Sequence, residues 1–332
     1  MIDEARALRW GVIGTGSIAS SFAADLRLLP DAELVAVGSR AQATADEFGD
    51  RYDVPRRHPS YAGLVADDEV DVVYVATPHP GHHDAALAAI EAGKAVLVEK
   101  PFTMDAGEAL SLVAAARRHG VFLMEAMWAR FVPHMVRLRS LVQDGALGDV
   151  RAVLADHGQW FAPDPDHRLF APSLGGGALL DLGVYPVSLA SMLLGEPAAV
   201  SAVGTPAFTG VDAQTSMVMT YAGGRQAVLS CTLEALGANR ATVVGTDARI
   251  ELDPVWYMPG GFWLLRRDGT AERYDEPHEG SGLRHEAAEV MRCMRAGLTE
   301  SPAMPLDETV AIMRTMDEVR RQIGLDYAAL TA

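Results

Sequence analysis

Apolar runs alternate with helical patterns along the first 127 residues of the chain. The runs Leu8–Gly14, Ala32–Gly38 and Val70–Thr77 each predict a short strand, and a stretch with apolar residues at helical spacing follows each of them. Two further strands, Ala95–Val98 and Val121–Ala126, continue the alternation. Strands that alternate with helices are typical of a parallel α/β sheet covered by helices on both faces.

The pattern changes after about residue 127. A long strand is predicted over Asp149–Trp160 and a strongly apolar helix over Gly177–Gly195. Strands separated by turn signals then occupy Ala199–Arg267, which favours a mostly antiparallel sheet with one exposed or subunit-contacting face. Helices over Leu283–Gly297 and Leu306–Gly324 close the chain. We therefore predict two domains, residues 1–127 and 128–332, with the last helix free to pack back on the first domain.

Composition and charge narrow the class of protein. With 332 residues, 49% hydrophobic and 22% charged, the chain resembles an ordinary two-domain globular protein. It has no continuous apolar run of the roughly 18–20 residues that span a bilayer and no visible secretory signal, so a cytoplasmic location is expected. The net charge of −16 opposes nucleic acid or an anionic membrane as a partner. Cys231 and Cys293 lack the paired spacing of a zinc or disulfide site.

A glycine-rich motif lies between the first strand and the first helix. Gly14, Gly16 and Ala19 form the pattern G-x-G-x-x-A, in which the first glycine turns tightly and the second lets the backbone approach a pyrophosphate. The small Ala19 allows the helix to pack closely on the strand, and the helix N-terminus supplies N–H groups to the phosphates. The predicted dinucleotide contacts here are Gly14, Thr15, Gly16, Ser17 and Ile18.

The end of the second strand indicates which dinucleotide is bound. An acid about 20 residues after the motif would hold the ribose hydroxyls of NAD, but Ser39 and Arg40 stand there instead. A hydroxyl and a guanidinium suit a 2′-phosphate, which a carboxylate would repel. The sequence therefore favours NADP, with NAD as the alternative.

The strand over Ala95–Val98 runs directly into Glu99, Lys100 and Pro101. Of the 28 lysine and arginine residues in the chain, only Lys94 and Lys100 are lysines. Because this sequence mostly uses arginine for positive charge, Lys100 hints at a role that arginine cannot fill, namely release of a proton.

The motifs "GTGSIA", "VEKP" and "GGGALLDLGVYP" together resemble the Gfo/Idh/MocA oxidoreductases. The resemblance covers essentially the whole chain and is strongest to the branch of trans-dihydrodiol dehydrogenases and NADP-dependent D-xylose dehydrogenases. It implies an N-terminal Rossmann domain, which is a doubly wound parallel sheet, and a C-terminal α/β domain with a large open sheet. It also implies a homodimer or a dimer of dimers formed through that sheet.

The same resemblance assigns roles around the E-K-P motif. It places Glu99 near the nicotinamide ribose and Lys100 beside the nicotinamide and the substrate hydroxyl, with a Lys100–Pro101 bond that is often cis. Six further positions match family residues near the cofactor or the cofactor–substrate junction: Thr77, Pro78, His82, Trp128, Arg130 and Arg168. A core tryptophan and a surface arginine are the alternative for Trp128 and Arg130.

Asp181 and Tyr185 are four residues apart in a predicted helix and so share one face. Many family members carry histidine at the second position, and the dihydrodiol dehydrogenase-like branch carries tyrosine, as here. We expect Tyr185 to take the substrate hydroxyl proton, with Lys100 lowering its pKa from near 10 and Asp181 orienting the reacting oxygen. Lys100 as the proton acceptor itself is the alternative.

The function expected from the resemblance is NADP-dependent hydride transfer to or from a hydroxyl-bearing or carbonyl carbon of a sugar, cyclic polyol or dihydrodiol. A keto-sugar reductase, with a nucleotide-linked substrate as one form, and a non-catalytic NADP sensor are the alternatives. No metal is needed, because Lys100 and Tyr185 can handle the proton. His157, Trp160 and Phe161 are candidates for the substrate pocket, with core or interface roles as the alternative.

Overall fold

The computed structural model describes residues 6–331, which form two compact units. The first unit contains the described residues up to Trp128 together with Glu279–Val310. The second contains Ala129–His278 and the described residues from Ala311 onward. Residues 279–310, which the sequence pattern assigned to the second domain, thus group with the first unit, because their helix packs there.

The strands are β1 (Leu8–Ile13), β2 (Ala32–Gly38), β3 (Arg56–His58), β4 (Val72–Val75), β5 (Ala95–Glu99), β6 (Leu123–Ala126), β7 (Val150–Gly158), β8 (Ala199–Pro206), β9 (Asp212–Thr220), β10 (Gln226–Thr232), β11 (Ala241–Gly245), β12 (Ala248–Leu252), β13 (Gly261–Arg266) and β14 (Ala271–Asp275). The α-helices are α1 (Ser17–Leu26), α2 (Gln42–Tyr52), α3 (Tyr61–Val65), α4 (His82–Glu91), α5 (Ala106–His119), α6 (Pro133–Gln143), α7 (Val184–Leu194), α8 (Arg284–Arg295), α9 (Leu306–Ile323) and α10 (Tyr327–Thr331).

The first unit is built on a parallel sheet of six strands in the order β3-β2-β1-β4-β5-β6. Strands β4 and β5 are buried along their whole length, as their unbroken apolar sequences require of strands covered on both faces. The strand order reverses at β1, which pairs with both β2 and β4. Ligands of such sheets bind at the carboxyl ends of the strands near this reversal. The predicted Rossmann-type sheet is confirmed.

The second unit is built on a sheet of eight strands in the order β14-β13-β12-β11-β7-β10-β9-β8. Its described strand pairs are antiparallel apart from β7 with β10, which confirms the prediction of a large, mostly antiparallel sheet. Buried and exposed residues alternate along β10, with Ala227, Leu229 and Cys231 facing inward. Helix α7 packs against β7 and β10, so the tyrosine-bearing helix lies on the buried face of the sheet.

The predicted helix over Gly177–Gly195 begins differently from the expectation. A π-helical turn, Leu179–Gly183, precedes the regular helix α7. The surrounding segment, Pro172–Leu194, is long and apolar enough by composition to cross a membrane, but 83% of its most apolar window is buried inside the protein. This burial is what a core helix shows. Elements that the sequence pattern did not predict include β3, α3, α6, β14 and α10.

Candidate active site

The glycine motif forms a tight turn at the end of β1. Gly14 has φ +102°, and a Cβ placed there would lie 2.5 Å from the carbonyl oxygen of Ala76, so only glycine fits. A Cβ placed on Gly16 would meet no described atom within 4 Å, so this side of the loop is open to a ligand. Ala19 is fully buried, and its small side chain lets α1 pack closely. The loop thus has the shape that a pyrophosphate needs.

The start of α1 leaves its backbone donors available. Gly16 stands at the N-cap position without a side chain to accept the first N–H groups, and the first turn, all of it among the described residues, carries no acid. Thr15 and Ile18 are partly buried and Ser17 is exposed. An uncapped helix N-terminus attracts anions, so these residues fit the phosphates of a dinucleotide.

Ser39 and Arg40 follow β2 at the same edge of the sheet. The Ser39 hydroxyl lies 2.5 Å from Thr44 Oγ1, and Thr44 itself donates to the carbonyl oxygen of Ala41. Because the single proton of Thr44 is used in that bond, Ser39 is the donor of the pair. Arg40 is exposed, so its guanidinium presents positive charge at this edge of the sheet. The Ser39 hydroxyl proton is already used in the bond to Thr44.

His82 links the ends of two strands. Its Nδ1 lies 2.9 Å from the carbonyl oxygen of Pro101, and its Nε2 lies 2.9 Å from that of Thr77, which follows β4. The ring is 1% exposed, and this burial lowers the pKa of His82 although both carbonyls oppose the shift. Thr77 is also buried, and Pro78 precedes a short 3-10 turn. His82 therefore holds the loop after β4 against the turn after β5.

Glu99, the last residue of β5, is buried and bound on both oxygens. Tyr74, whose ring stacks on Phe22 at 3.8 Å between centroids, donates its hydroxyl to Glu99 Oε1. The backbone N–H of Lys100 donates to Glu99 Oε2 at 3.1 Å. The Lys100–Pro101 bond is cis, as the family resemblance implied, and Lys100 is partly exposed. The strand thus ends in a fixed carboxylate followed by a lysine at the carboxyl edge of the sheet.

A buried acid near Glu99 was missed by sequence analysis. Glu286, at the start of α8, is fully buried, and neither of its carboxylate oxygens has a hydrogen-bond partner among residues 6–331. Burial raises the pKa of Glu286 well above its usual range, and the carboxylates of Glu99, Asp25 and Glu125 raise it further. These surroundings therefore favour the protonated, neutral form of Glu286. Nothing in the spacing of the sequence connects α8 to β5.

In the second unit, Asp181 is paired with Arg168. The guanidinium donates to both carboxylate oxygens of Asp181, at 3.0 Å from Nη1 and 3.3 Å from Nη2. Asp181 is buried in the π-helical turn, whereas about half of the Arg168 side chain is exposed. A bidentate pair of this kind fixes the orientation of the carboxylate. The structure thus joins two residues that the sequence singled out separately.

The Tyr185 ring is held in a cluster of aromatic side chains. It meets His157 edge-on at 5.1 Å between centroids and Tyr257 at 5.2 Å, and His157 stacks on Tyr257 at 4.0 Å. The amide nitrogen of Gln159 lies 2.9 Å from His157 Nε2 and 3.1 Å from the Tyr257 hydroxyl. All three rings are buried. The sequence indicated His157 as a candidate, but its contacts with Gln159 and Tyr257 have no signal in the spacing of the chain.

Arg130 anchors the helix that carries Tyr185. Its guanidinium is 2% exposed and donates to the hydroxyl and the carbonyl oxygen of Ser188, both at 2.8 Å. Ser188 lies one turn after Tyr185 on α7. Trp128, in the first unit, is buried at the end of β6.

Of the other aromatic candidates, Trp160 is 58% exposed, whereas Phe161 is half-buried against the core of the second unit.

The structure therefore places the predicted residues in two groups. The first unit holds the glycine loop, Ser39, Arg40, Thr77, Pro78, His82, Glu99, Lys100 and Trp128, which follow or end parallel strands or start the next helix. The second unit holds Arg130, Arg168, Asp181 and Tyr185 around the start of α7.

Comparison with known proteins decides the family. Residues 8–127 match the family described as "Oxidoreductase family, NAD-binding Rossmann fold", and residues 135–251 match the "GFO/IDH/MocA C-terminal domain". The trans-1,2-dihydrobenzene-1,2-diol dehydrogenase of Bos taurus is 38% identical over 335 residues, which cover 97% of this chain and 98% of that protein. The chain belongs to the Gfo/Idh/MocA oxidoreductase family. The Danio rerio dehydrogenase of the same name is 39% identical with the same coverage.

Solved Gfo/Idh/MocA-like structures share this fold. The aldose-aldose oxidoreductase of Caulobacter crescentus superposes with a TM-score of 0.87 at 27% identity, covering 96% of this chain and 97% of its own. The 3-ketoreductase KijD10 of Actinomadura kijaniata, solved with NADP and TDP-benzene, gives 0.84 at 28% identity, with 96% and 98% coverage. As a member of this family, the protein is a nicotinamide-dependent dehydrogenase or reductase.

Proposed function

We propose that this protein is an NADP-dependent oxidoreductase that acts on a hydroxyl-bearing carbon of a dihydrodiol, sugar or cyclic polyol. The observation that carries the proposal is the position of Lys100. It follows β5 at the same carboxyl edge of the parallel sheet as the open glycine loop after β1, with only β4 between the two strands. A proton-carrying amine at a dinucleotide-binding edge suits the oxidation of an alcohol or the reduction of a carbonyl.

The protein residues would handle the proton of this reaction. A nicotinamide held at the glycine loop would supply the acceptor or donor for the hydride of the substrate carbon. We assign the alcohol proton to the Tyr185 hydroxyl oxygen, with the Lys100 ammonium favouring the phenolate form and Asp181 orienting the reacting oxygen. Arg168 holds the Asp181 carboxylate in one orientation, and the cluster of His157 and Tyr257 holds the Tyr185 ring.

The substrate class follows from the relatives. The two relatives named above are dihydrodiol dehydrogenases, and they match 97% of the chain at 38% and 39% identity. The aldose-aldose oxidoreductase supports a sugar as the second choice. The 3-ketoreductase, solved with a nucleotide-linked ligand analogue, favours a keto-sugar reductase as the alternative function.

The direct test is turnover of the purified protein with NADP and a panel of trans-dihydrodiols, aldoses and inositols, followed by near-ultraviolet absorbance. Formation of NADPH with a trans-diol or an aldose supports the proposal and names the substrate class. Oxidation of NADPH by keto-sugars alone would move the assignment to the alternative reductase. Tight NADPH binding without turnover of any compound would contradict an enzymatic function.

The preference for NADP is assigned to Arg40. Its exposed guanidinium can bind a 2′-phosphate, whereas the Ser39 hydroxyl donates its proton to Thr44. Arg40→Ala is expected to raise KM for NADP by about 10- to 100-fold, the value of one charge-assisted hydrogen bond, while KM for NAD changes little. Steady-state kinetics with both cofactors measure this. Arg51→Ala, which removes an exposed arginine of α2 paired with Glu47, is the matched control. An unchanged ratio of the two KM values would refute the assignment.

We further propose that the exposed face of the second sheet forms a homodimer, which a dimer of dimers would also use. Leu154, Val228 and Val218 lie directly opposite one another on β7, β10 and β9, and they are 42%, 45% and 42% exposed. A contiguous apolar row on an exposed sheet face is typical of an interaction surface. A second copy of the chain presents the same row and satisfies the two-fold symmetry of most dimers.

Val228→Lys places a charge at the centre of this row and is expected to convert dimer to monomer, because an unpaired buried charge opposes association. Sedimentation velocity measures the mass of each species. Leu298→Lys is the matched control: it places a lysine on a similarly exposed apolar residue (41%) of the first unit, outside this sheet, and should leave the dimer intact. A wild-type monomer, or a Val228→Lys dimer as stable as wild type, would contradict this interface.

A further inference from the structure

The π-helical turn that carries Asp181 is capped by a side chain from a distant strand. The N–H of Leu179, the first residue of the turn, donates to Asp212 Oδ2 at 2.8 Å. The Thr215 hydroxyl donates to the same oxygen, also at 2.8 Å. Asp212 begins β9 and is 3% exposed. The turn has no side-chain cap of its own, so Asp212 supplies the acceptor that its first N–H group needs.

The triple glycine before the turn is shaped around the same carboxylate. Gly177 has φ +120°, and a Cβ placed on it would lie 2.2 Å from Asp212 Oδ1. A Cβ on Gly176 would lie 2.7 Å from the carbonyl oxygen of Leu169. The Tyr327 hydroxyl donates to the carbonyl oxygen of Gly176. The glycine run therefore allows backbone and the Asp212 carboxylate to approach closely, which explains why small residues precede the turn.

We propose that Asp212 is a positioning residue for the reaction: by binding the Leu179 N–H and packing on Gly177, it fixes where the Asp181–Tyr185 helix begins. Asp181 lies two positions after Leu179 and Tyr185 lies six positions after it, so a shift at the first position moves both side chains. Asp212 contacts neither of the two reactive groups in any described hydrogen bond. This inference rests on the proposed function, since it assumes that Asp181 and Tyr185 serve the reaction.

The surroundings of Asp212 also raise its pKa. Burial raises the pKa of Asp212 to about 7, against the opposing effects of Thr215, the Leu179 N–H and the Arg320 guanidinium on α9. The other titratable groups that face it are Tyr327 on α10 and Cys231 on β10, and burial, with the Asp212 charge as a smaller cause, raises both of their pKa values. Both of these neighbours thus stay neutral while Asp212 changes charge.

The sign of the pH effect on stability follows from this shift. Because the pKa is about 7 in the folded protein and 3.8 ordinarily, the folded state binds the proton more tightly than the unfolded state. The protonated Asp212 carboxyl therefore stabilises the folded state. Its whole contribution is present below about pH 4 and is lost as pH rises to about 7. Asparagine does not titrate. The unfolding midpoint of Asp212→Asn, relative to wild type, is therefore expected to rise across that interval.

The decisive experiment compares Asp212→Ala with Asp212→Asn in the full chain. Asparagine keeps an oxygen for the Leu179 N–H, so we expect wild-type kcat, whereas alanine should lower kcat by about 10- to 100-fold through misplacement of the helix. KM for NADPH should stay unchanged in both, because the glycine loop is in the other unit. Amide hydrogen exchange over residues 179–183 should accelerate in the alanine variant only. If that variant does not fold, Asp212→Ser, whose side chain is shorter than that of Asp212, replaces it.

The outcomes distinguish failure of the positioning role of Asp212 from failure of the proposed function. Wild-type kcat in a folded Asp212→Ala protein, or unchanged exchange of the amides over residues 179–183, would overturn the positioning role. Loss of kcat in Asp212→Asn equal to that in alanine would also overturn it, because the acceptor oxygen is retained. If wild type itself turns over no compound, the proposed function fails, and hydrogen exchange still decides whether Asp212 fixes the turn.

Discussion

Tyr185→Phe is expected to lower kcat by about 10² to 10⁴, the usual contribution of a group that transfers a proton in the rate-determining step. The variant removes one hydroxyl and keeps the ring. Because the ring contacts with His157 and Tyr257 involve only its faces and edges, they remain, and the helix should stay in place. Binding of NADPH, measured by fluorescence titration, should be nearly unchanged.

The control for this variant is Tyr221→Phe. Tyr221 is another buried tyrosine of the second unit, and its hydroxyl points to Met219 Sδ at 3.6 Å rather than to a catalytic group. It should retain wild-type kcat. Turnover by Tyr185→Phe at the wild-type rate would remove Tyr185 from the reaction and leave Lys100 as the proton acceptor.

Lys100→Met is the second variant with a large expected effect, again a fall in kcat of about 10² to 10⁴. Methionine keeps most of the stem and removes the ammonium. The hydrogen bonds that shape the turn do not use the Lys100 side chain and should persist. They join the Lys100 N–H to the Glu99 carboxylate and the His82 ring to the carbonyl oxygen of Pro101. Lys94→Met is the matched control. It removes the other lysine, whose Nζ donates to the carbonyl oxygens of Asp67 and Val70, so it should affect stability rather than kcat.

Lys100→Arg separates the two roles that the sequence left open. If Lys100 acts by its charge on Tyr185, arginine preserves that charge and should restore part of the activity lost in Lys100→Met. If Lys100 is the proton acceptor, arginine should be as inactive as methionine, because a guanidinium stays protonated in proteins. Wild-type kcat in Lys100→Met would exclude both roles.

The parallel sheet and the glycine turn were predictable because their signals are local. Unbroken apolar runs such as Val96–Val98 identify buried strands, and Gly14 occupies the position where positive φ is required. Strand β3 has three residues, Arg56–His58, and no apolar pattern, so no periodicity could reveal it. It is seen only in the structure, where it pairs in parallel with β2 at the edge of the sheet.

The candidate site was predictable in its residue types and not in its contacts. The spacing of Asp181 and Tyr185 indicated a shared helix, but the π-helical geometry at Asp181 depends on Asp212, which lies on another element. The pairing of Asp181 with Arg168 depends on a loop whose path no pattern specifies. Glu286 is buried in the first unit because α8 packs against segments that are far away in the chain. Such a contact leaves no local pattern in the sequence.

The measurement that tests the central claim most directly is the fate of deuterium placed on the reacting carbon of a trans-diol or aldose that the protein oxidises. We expect the label on the nicotinamide ring of NADPH, with a slower rate for the labelled substrate when the hydride step limits turnover. Mass spectrometry and NMR of the recovered cofactor would show it. Label found in water, with unlabelled NADPH, would contradict direct hydride transfer and with it the proposed function.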